Sequence, residues 1–164
     1  MSSLSDQSKP ILLAGLGSPL MSDEGVGVYL AEEIARRELL PGNVEVLELG
    51  TGNLNVIHAI AGRELVVFID CARMDCEAGE IRRFGLEDVV SRKVLPNWSA
   101  HEGDLITLLD ISRTIDELPE EVVLFGIEPE RIDYGEELSA TLQDRFEEYV
   151  GQIAGWVRER AQSI

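Results

Sequence analysis

Cationic side chains are scarce in this chain of 164 residues: 14 Lys and Arg stand against 31 Asp and Glu, a formal net charge of −17. That imbalance argues against nucleic acid and anionic membrane surfaces as partners, because phosphates reward Lys and Arg. Cysteine is nearly absent. Cys71 and Cys76 are the only two, too few to complete a zinc site and too close together for a disulfide framework in a chain without an export signal. Both read as reduced thiols, with Cys71 as a small buried residue. Long apolar runs are missing as well. The longest are strand-like pieces such as Glu64-Leu-Val-Val-Phe-Ile69, far short of the roughly 18 to 20 residues that cross a bilayer. The first nine residues carry neither an apolar nor an Arg-rich targeting pattern, so residues 1–9 read as a mobile tail and the protein as cytoplasmic. No repeat, linker or shift in composition divides the remainder, and 10–164 reads as one domain.

Several catalytic signatures are also missing. There is no HExxH, which excludes a zincin, and no GxSxG nucleophile elbow. Neither cysteine has a histidine near it in sequence, and only two histidines exist. His58 follows apolar Ile57 in the middle of an expected helix and reads as structural.

What is present is an alternation of strand and helix, the pattern of parallel βαβ units. Pro10 to Gly15 is a continuously apolar strand, as a strand buried on both faces should be. A helix is expected from Glu24 to Leu39, with Val26, Leu30 and Ile34 on one face, broken by Pro41-Gly42-Asn43. A second strand spans Val44 to Leu49 and turns through Gly50-Thr51-Gly52-Asn53 into a short helix ending near Gly62. The third strand, Leu65 to Ile69, runs into Asp70 and an irregular stretch closed by Gly79, followed by an alternating strand from Glu80 to Phe84. Pro96 and Trp98 mark Val89 to Ser99 as loop. A helix after His101 should bury Leu105, Leu108, Leu109 and Ile111. Val122 to Ile127 forms another buried strand, ended by Glu128-Pro129. The last helix has Ser139 as N-cap and a stripe of Leu142, Phe146, Val150, Ile153 and Val157.

Open parallel sheets bind ligands beyond the carboxyl ends of their strands, where strand order reverses, and right-handed crossovers make the first and third strands neighbours at such a point. Three segments at such ends offer a group able to bind metal: Glu24, Asp70 and His101. Two carboxylates and an imidazole suit Ni, Zn, Mn or Fe with open positions better than a closed structural zinc site. Each also has a plainer explanation. Asp23 and Glu24 begin a helix, where a carboxylate gains roughly 0.3 to 1 kcal/mol from the dipole. Asp70 can cap a turn, and His101 can simply start a helix. Their coincidence beyond strand ends favours a site. The loop Gly15-x-Gly17 is similar to a dinucleotide fingerprint, but Leu20 replaces its third glycine and Asp23 and Glu24 would meet the pyrophosphate. Nucleotide binding is rejected on those grounds.

The same residues resemble the hydrogenase maturation endopeptidases, which cut a C-terminal extension from the precursor of the nickel-iron hydrogenase large subunit. The family's opening GxGNxLxxD(D/E)xxG is similar to Gly15-Leu16-Gly17-Ser18-Pro19-Leu20-Met21-Ser22-Asp23-Glu24-Gly25-Val26-Gly27. Its DGGT-like turn resembles Glu48-Leu49-Gly50-Thr51. Its third-strand aspartate matches Asp70, and its Ser-x-His segment matches Ser99-Ala100-His101. The ending resembles Gly126-Ile127-Glu128-Pro129, Gly135 and Leu138-Ser139. Ser18 in place of Asn and Leu49 in place of Gly are departures that leave the three candidate ligands untouched. The resemblance implies a three-layer α/β fold, a mostly parallel twisted sheet of about five strands with helices on both faces. It carries a metal-binding and catalytic trio over to Glu24, Asp70 and His101, supported by a loop of Gly15, Gly17 and Asp23. It implies a divalent metal, nickel presented by the substrate, a large-subunit precursor as partner, and a monomeric enzyme. Two alternatives stay open: a nickel-dependent binding module that inspects the same precursor without cutting it, and a peptidase of this fold with another substrate.

Overall fold

In the computed structural model, residues 8–51, 54–90 and 100–164 are described, with side chains for all of these except 89–90 and 100–104. The apolar runs become five strands, β1 (Ile11–Leu16), β2 (Val44–Gly50), β3 (Leu65–Cys71), β4 (Ile81–Gly85) and β5 (Glu121–Ile127). They form one sheet in the order β2-β1-β3-β5-β4. β1 runs parallel to β2 and β3, β3 runs parallel to β5, and only the edge strand β4 is antiparallel.

Strand side chains alternate between the two faces, so the unbroken apolar runs of β1 and β3 feed two cores. On one face Ile11, Leu13, Val67 and Ile69 pack with Val26, Leu30 and Ile34 of α1 (Val26–Arg36) and with Leu142, Val150, Ile153 and Val157 of α5 (Ala140–Ala161). On the other, Leu12, Ala14, Val66 and Phe68 pack with α2 (Asn55–Ile60) and with Leu105, Leu108 and Leu109 of α4 (Ala100–Thr114). Each fully buried Leu, Ile or Val contributes roughly 1.5–3 kcal/mol. Three layers result, as expected.

Four local expectations need correction. The helix expected from Glu24 to Leu39 is split into a 3-10 turn at Ser22–Gly25 and α1 from Val26. The amides of Ser22 and Asp23 donate to the carbonyls of Gly135 and Arg131 in a distant loop, and these bonds hold the turn out of register with the helix. Ile111 is 40% exposed rather than inward, because at 100° per residue it falls outside the stripe of Leu105, Leu108, Leu109 and the buried Ser112. His58 is exposed on α2, since Val56, Ile57 and Ile60 supply that short helix's buried side. A short α3 (Leu86–Val90) occupies the start of the segment read as loop; its Pro96 and Trp98 lie outside the described residues.

The stripe on α5 missed its largest member. Tyr149 is fully buried, and its hydroxyl donates to the Gly79 carbonyl at 2.6 Å, tying the helix to the turn before β4. Burial pushes its phenol up to about 12. An unfolded Tyr ionises near pH 10, so between about pH 10 and 12 the unfolded chain releases a proton that the folded one retains. Stability from this group is intact below that window and falls through it, by about 2 kcal/mol. Urea midpoints from pH 9 to 12 should drop more steeply in the wild type than in Tyr149→Phe. Identical slopes would remove Tyr149 as the cause.

Candidate active site at the carboxyl ends of β1 and β3

After β1 the chain turns to β2 by way of α1 on one face of the sheet, and after β3 it turns the other way, to β4 and β5, with α4 on the opposite face. The carboxyl ends of β1 and β3 therefore flank the point where strand order reverses, the place where such sheets form a crevice. Glycine allows the loop after β1 to fill it. A Cβ on Gly27 would stand 2.1 Å from the Ile69 carbonyl oxygen, and one on Gly15 would stand 2.4 Å from that of Gly27. The first turn of α1 therefore rests directly on β1 and β3. Gly17 has φ +111°, and a Cβ there would stand 1.9 Å from the Glu24 carbonyl oxygen and 3.6 Å from Asp70 Oδ1. The glycine spacing serves close packing of backbone on backbone.

Gly17 thus lies between the backbone of one candidate ligand and the side chain of another. On one side runs the backbone of Glu24, in the 3-10 turn, half-buried. On the other is the buried carboxylate of Asp70, whose Oδ1 accepts from the Cys71 amide at 2.8 Å. Asp70 belongs to β3 itself rather than to the loop after it, which gives it a rigid backbone. His101 stands in the first turn of α4, but its side chain, like Ser99, lies outside the described residues. Among the described residues no three His, Cys, Asp or Glu side chains gather as a metal cluster. The Asp70 carboxylate beside the turn that bears Glu24 offers oxygen donors and a base, a set that suits a divalent ion needing further ligands from elsewhere.

Asp23 does something different from what its place at a helix start suggests. It is completely buried, and its carboxylate accepts four hydrogen bonds from the loop that follows β5. Oδ2 takes the amides of Glu130 and Arg131, both at 2.9 Å, and the Ser139 hydroxyl at 2.8 Å; Oδ1 takes the Ser139 amide at 2.7 Å. The Ser139 hydroxyl also accepts from Leu142 N as the cap of α5. Further ties run beside it. Ser22 Oγ donates to the Asp133 carbonyl at 2.8 Å, and the Tyr29 hydroxyl lies 2.7 Å from that of Glu136 and 3.1 Å from that of Pro19. Asp23 is a hub that knits the two loops together and so fixes the turn presenting Glu24.

Sequence reasoning missed a third buried carboxylate, although it ends a strand at the same edge of the sheet. Glu128 Oε2 accepts from the Met74 amide and lies 3.8 Å from Cys76 Sγ, pinning the loop after β3. Burial, followed by hydrogen bonding to Glu80, pushes the Cys76 thiol up to about 11. At neutral pH it holds its proton and is a poor nucleophile. Alkylation by iodoacetamide at pH 7.5 should be much slower at Cys76 than at a model thiol, and Cys76→Ser should keep full activity. Fast labelling, or an inactive but folded Cys76→Ser, would reinstate a cysteine mechanism.

With this geometry in view, comparison with known proteins gives a consistent result. The family model described as hydrogenase maturation protease matches residues 28–156, a span that includes Asp70 and His101 and begins just after the turn bearing Glu24. The hydrogenase 2 maturation protease of Escherichia coli K12 is 27% identical over 149 residues, 91% of each chain. The hydrogenase expression/formation protein HupD of Bradyrhizobium diazoefficiens is 27% identical over 86% of this chain and 74% of its own. Among solved structures, the hydrogenase maturating endopeptidase HybD of E. coli superposes with a TM-score of 0.82 at 27% identity, covering 92% of this chain and 93% of that one. The [NiFe] hydrogenase maturation protease HybD of Thermococcus kodakarensis does so with 0.74 at 27% identity, covering 90% and 98%.

Proposed function

Because this chain belongs to the hydrogenase maturation protease family and is therefore an endopeptidase of hydrogenase maturation, we propose that it removes a C-terminal extension from the large-subunit precursor of a nickel-iron hydrogenase once nickel has been inserted. The observation that supports this reading is the packing of the Glu24 turn against Gly17, beside the buried Asp70 carboxylate at the carboxyl ends of β1 and β3. Carboxylates held there can ligate a divalent ion brought in by the substrate, with His101 of α4 as the third donor.

The chemistry follows from the groups present. A nickel ion carried by the precursor draws the segment to be cut against the two carboxylates. As a Lewis acid it can polarise a carbonyl, while a carboxylate left uncoordinated accepts a proton from attacking water. The protein offers neither a serine elbow nor an ionised Cys76, so the site is idle until the substrate completes it. Cleavage then depends on correct metal loading, which is the specificity that a maturation step requires. The place of action is the cytoplasm, where precursors are assembled, and the working form is a monomer. No described helix is long and apolar enough to cross a membrane.

Mass spectrometry of a purified precursor before and after incubation tests the proposal. The nickel-loaded form should lose one defined C-terminal fragment, the empty form should remain intact, and casein should not be cut. Equal cleavage of loaded and empty precursor would refute the metal check. Stable binding of the loaded precursor without any change of mass would make this an inspection module instead.

A further inference from the structure

Two large apolar side chains are left in water on the loops beside the turn that bears Glu24. Tyr134 is 85% exposed and Leu20 is 53% exposed, and they belong to the two loops that Asp23 joins. Met21 and Gly135 form a parallel β-bridge, with Gly135 N donating to Leu20 O at 2.9 Å and Ser22 N to Gly135 O at 2.7 Å. Leu20 and Tyr134 each immediately precede a bridge partner, so their backbones are neighbours. Isolated exposed apolar residues are ordinary on a protein surface. Here two adjacent ones are held on a backbone rigidified by the Asp23, Ser22 and Tyr29 bonds, although burying them within this chain is not what those bonds achieve. The loop around Tyr134 is strongly acidic. Glu130, Asp133, Glu136 and Glu137 are all exposed, with Arg131 as the single opposing charge. An open depression of about 610 Å³ continues from it, lined by Glu130, Arg131, Glu137, Leu138 and Gln143.

We propose that the Leu20–Tyr134 pair and the acidic 130–137 loop form a docking ledge for a polypeptide segment of the precursor that carries apolar and basic side chains. The ledge rests on the processing function proposed above and adds to it the chemistry of the segment recognised. Apolar contact with the pair supplies affinity, and the carboxylates steer a cationic segment and reject acidic ones. Because Leu20 adjoins the loop leading to Glu24, a segment seated on the ledge lies next to the crevice.

The test uses Leu20→Ser and Tyr134→Ser, changes at exposed positions that leave the melting temperature unchanged. With nickel-loaded precursor each should raise KM roughly tenfold with kcat within about twofold, and the wild-type KM should rise with salt. A second arm needs no turnover. A synthetic peptide alternating leucine and lysine is titrated against the full chain by calorimetry, beside a leucine and glutamate peptide of equal length. The basic peptide should bind the wild type roughly tenfold more tightly than either charge-neutral variant, and the acidic one should not bind. Failure of the wild type to cut any precursor, with the peptide result as expected, would overturn the processing function and leave the ledge standing. Equal peptide affinity in wild type and both variants, or an unchanged KM, would overturn the ledge.

Discussion

Asp70→Asn and Glu24→Gln are each expected to lower processing of a nickel-loaded precursor by roughly a thousandfold, the range in which removal of a metal-binding or proton-accepting group falls. Both changes preserve shape and remove charge. In Asp70→Asn the side-chain amide oxygen can still accept from the Cys71 amide, as Asp70 Oδ1 does at 2.8 Å, so the end of β3 keeps its local bond. Glu24 is half-buried in the 3-10 turn and belongs to neither apolar core. Melting temperatures should therefore shift by only a few degrees, about 1 kcal/mol or less. Loss of activity with retained fold would separate a working role from a supporting one. Calorimetric titration with nickel gives a second readout, and should weaken in both variants. Full processing by either variant would take that residue out of the site.

Asp23→Ala is expected to act through the fold, with a large loss of stability. Four donors converge on this carboxylate, and truncation takes the acceptor from the part-buried amides of Glu130 and Arg131 and from the buried amide of Ser139. Unsatisfied buried donors cost about 1–3 kcal/mol each, less than additively, so a loss of about 4 kcal/mol is expected. For a chain of this length that lowers the melting temperature by about 10 °C. Asp23→Asn should fall between, because the introduced amide nitrogen would face a donor wherever it points. Activity should drop alongside, since the turn holding Glu24 loses its anchor. A melting temperature within about 2 °C of the wild type would mean the hub is not what fixes the two loops.

Adjacent residues of one motif are thus expected to answer differently to substitution, and the contrast marks the limit of what sequence conveys. Periodicity located all five strands to within a residue or two, because a strand buried on both faces must be apolar throughout and turns must interrupt it. It also located α5, since Ser139 caps the helix as expected. It lent Asp23 and Glu24 the same appearance, two acids at a helix start. What distinguishes them is a loop more than 100 residues away, from Glu130 to Ser139, whose amides reach the carboxylate of Asp23. No local pattern encodes that contact. Tyr149 and Glu128 were missed for the same reason: their partners, Gly79 for one and Met74 for the other, are remote in the chain.

The sequence by itself determined an acidic α/β chain with a strand-helix alternation, the glycine spacing after β1, and the membership that Glu24, Asp70 and His101 suggest. These are properties of short windows, where hydrophobic period, turn chemistry and residue type act on near neighbours. Only the tertiary structure decided that Gly17 and Gly27 are small so that backbone can lie on backbone, that Asp70 stands within β3, and that Asp23 closes one loop upon another. It also placed Leu20 beside Tyr134. Each of these depends on parallel strands, whose crossovers bring together residues that are distant in the chain, and a partner's identity is then set by packing that no local preference anticipates.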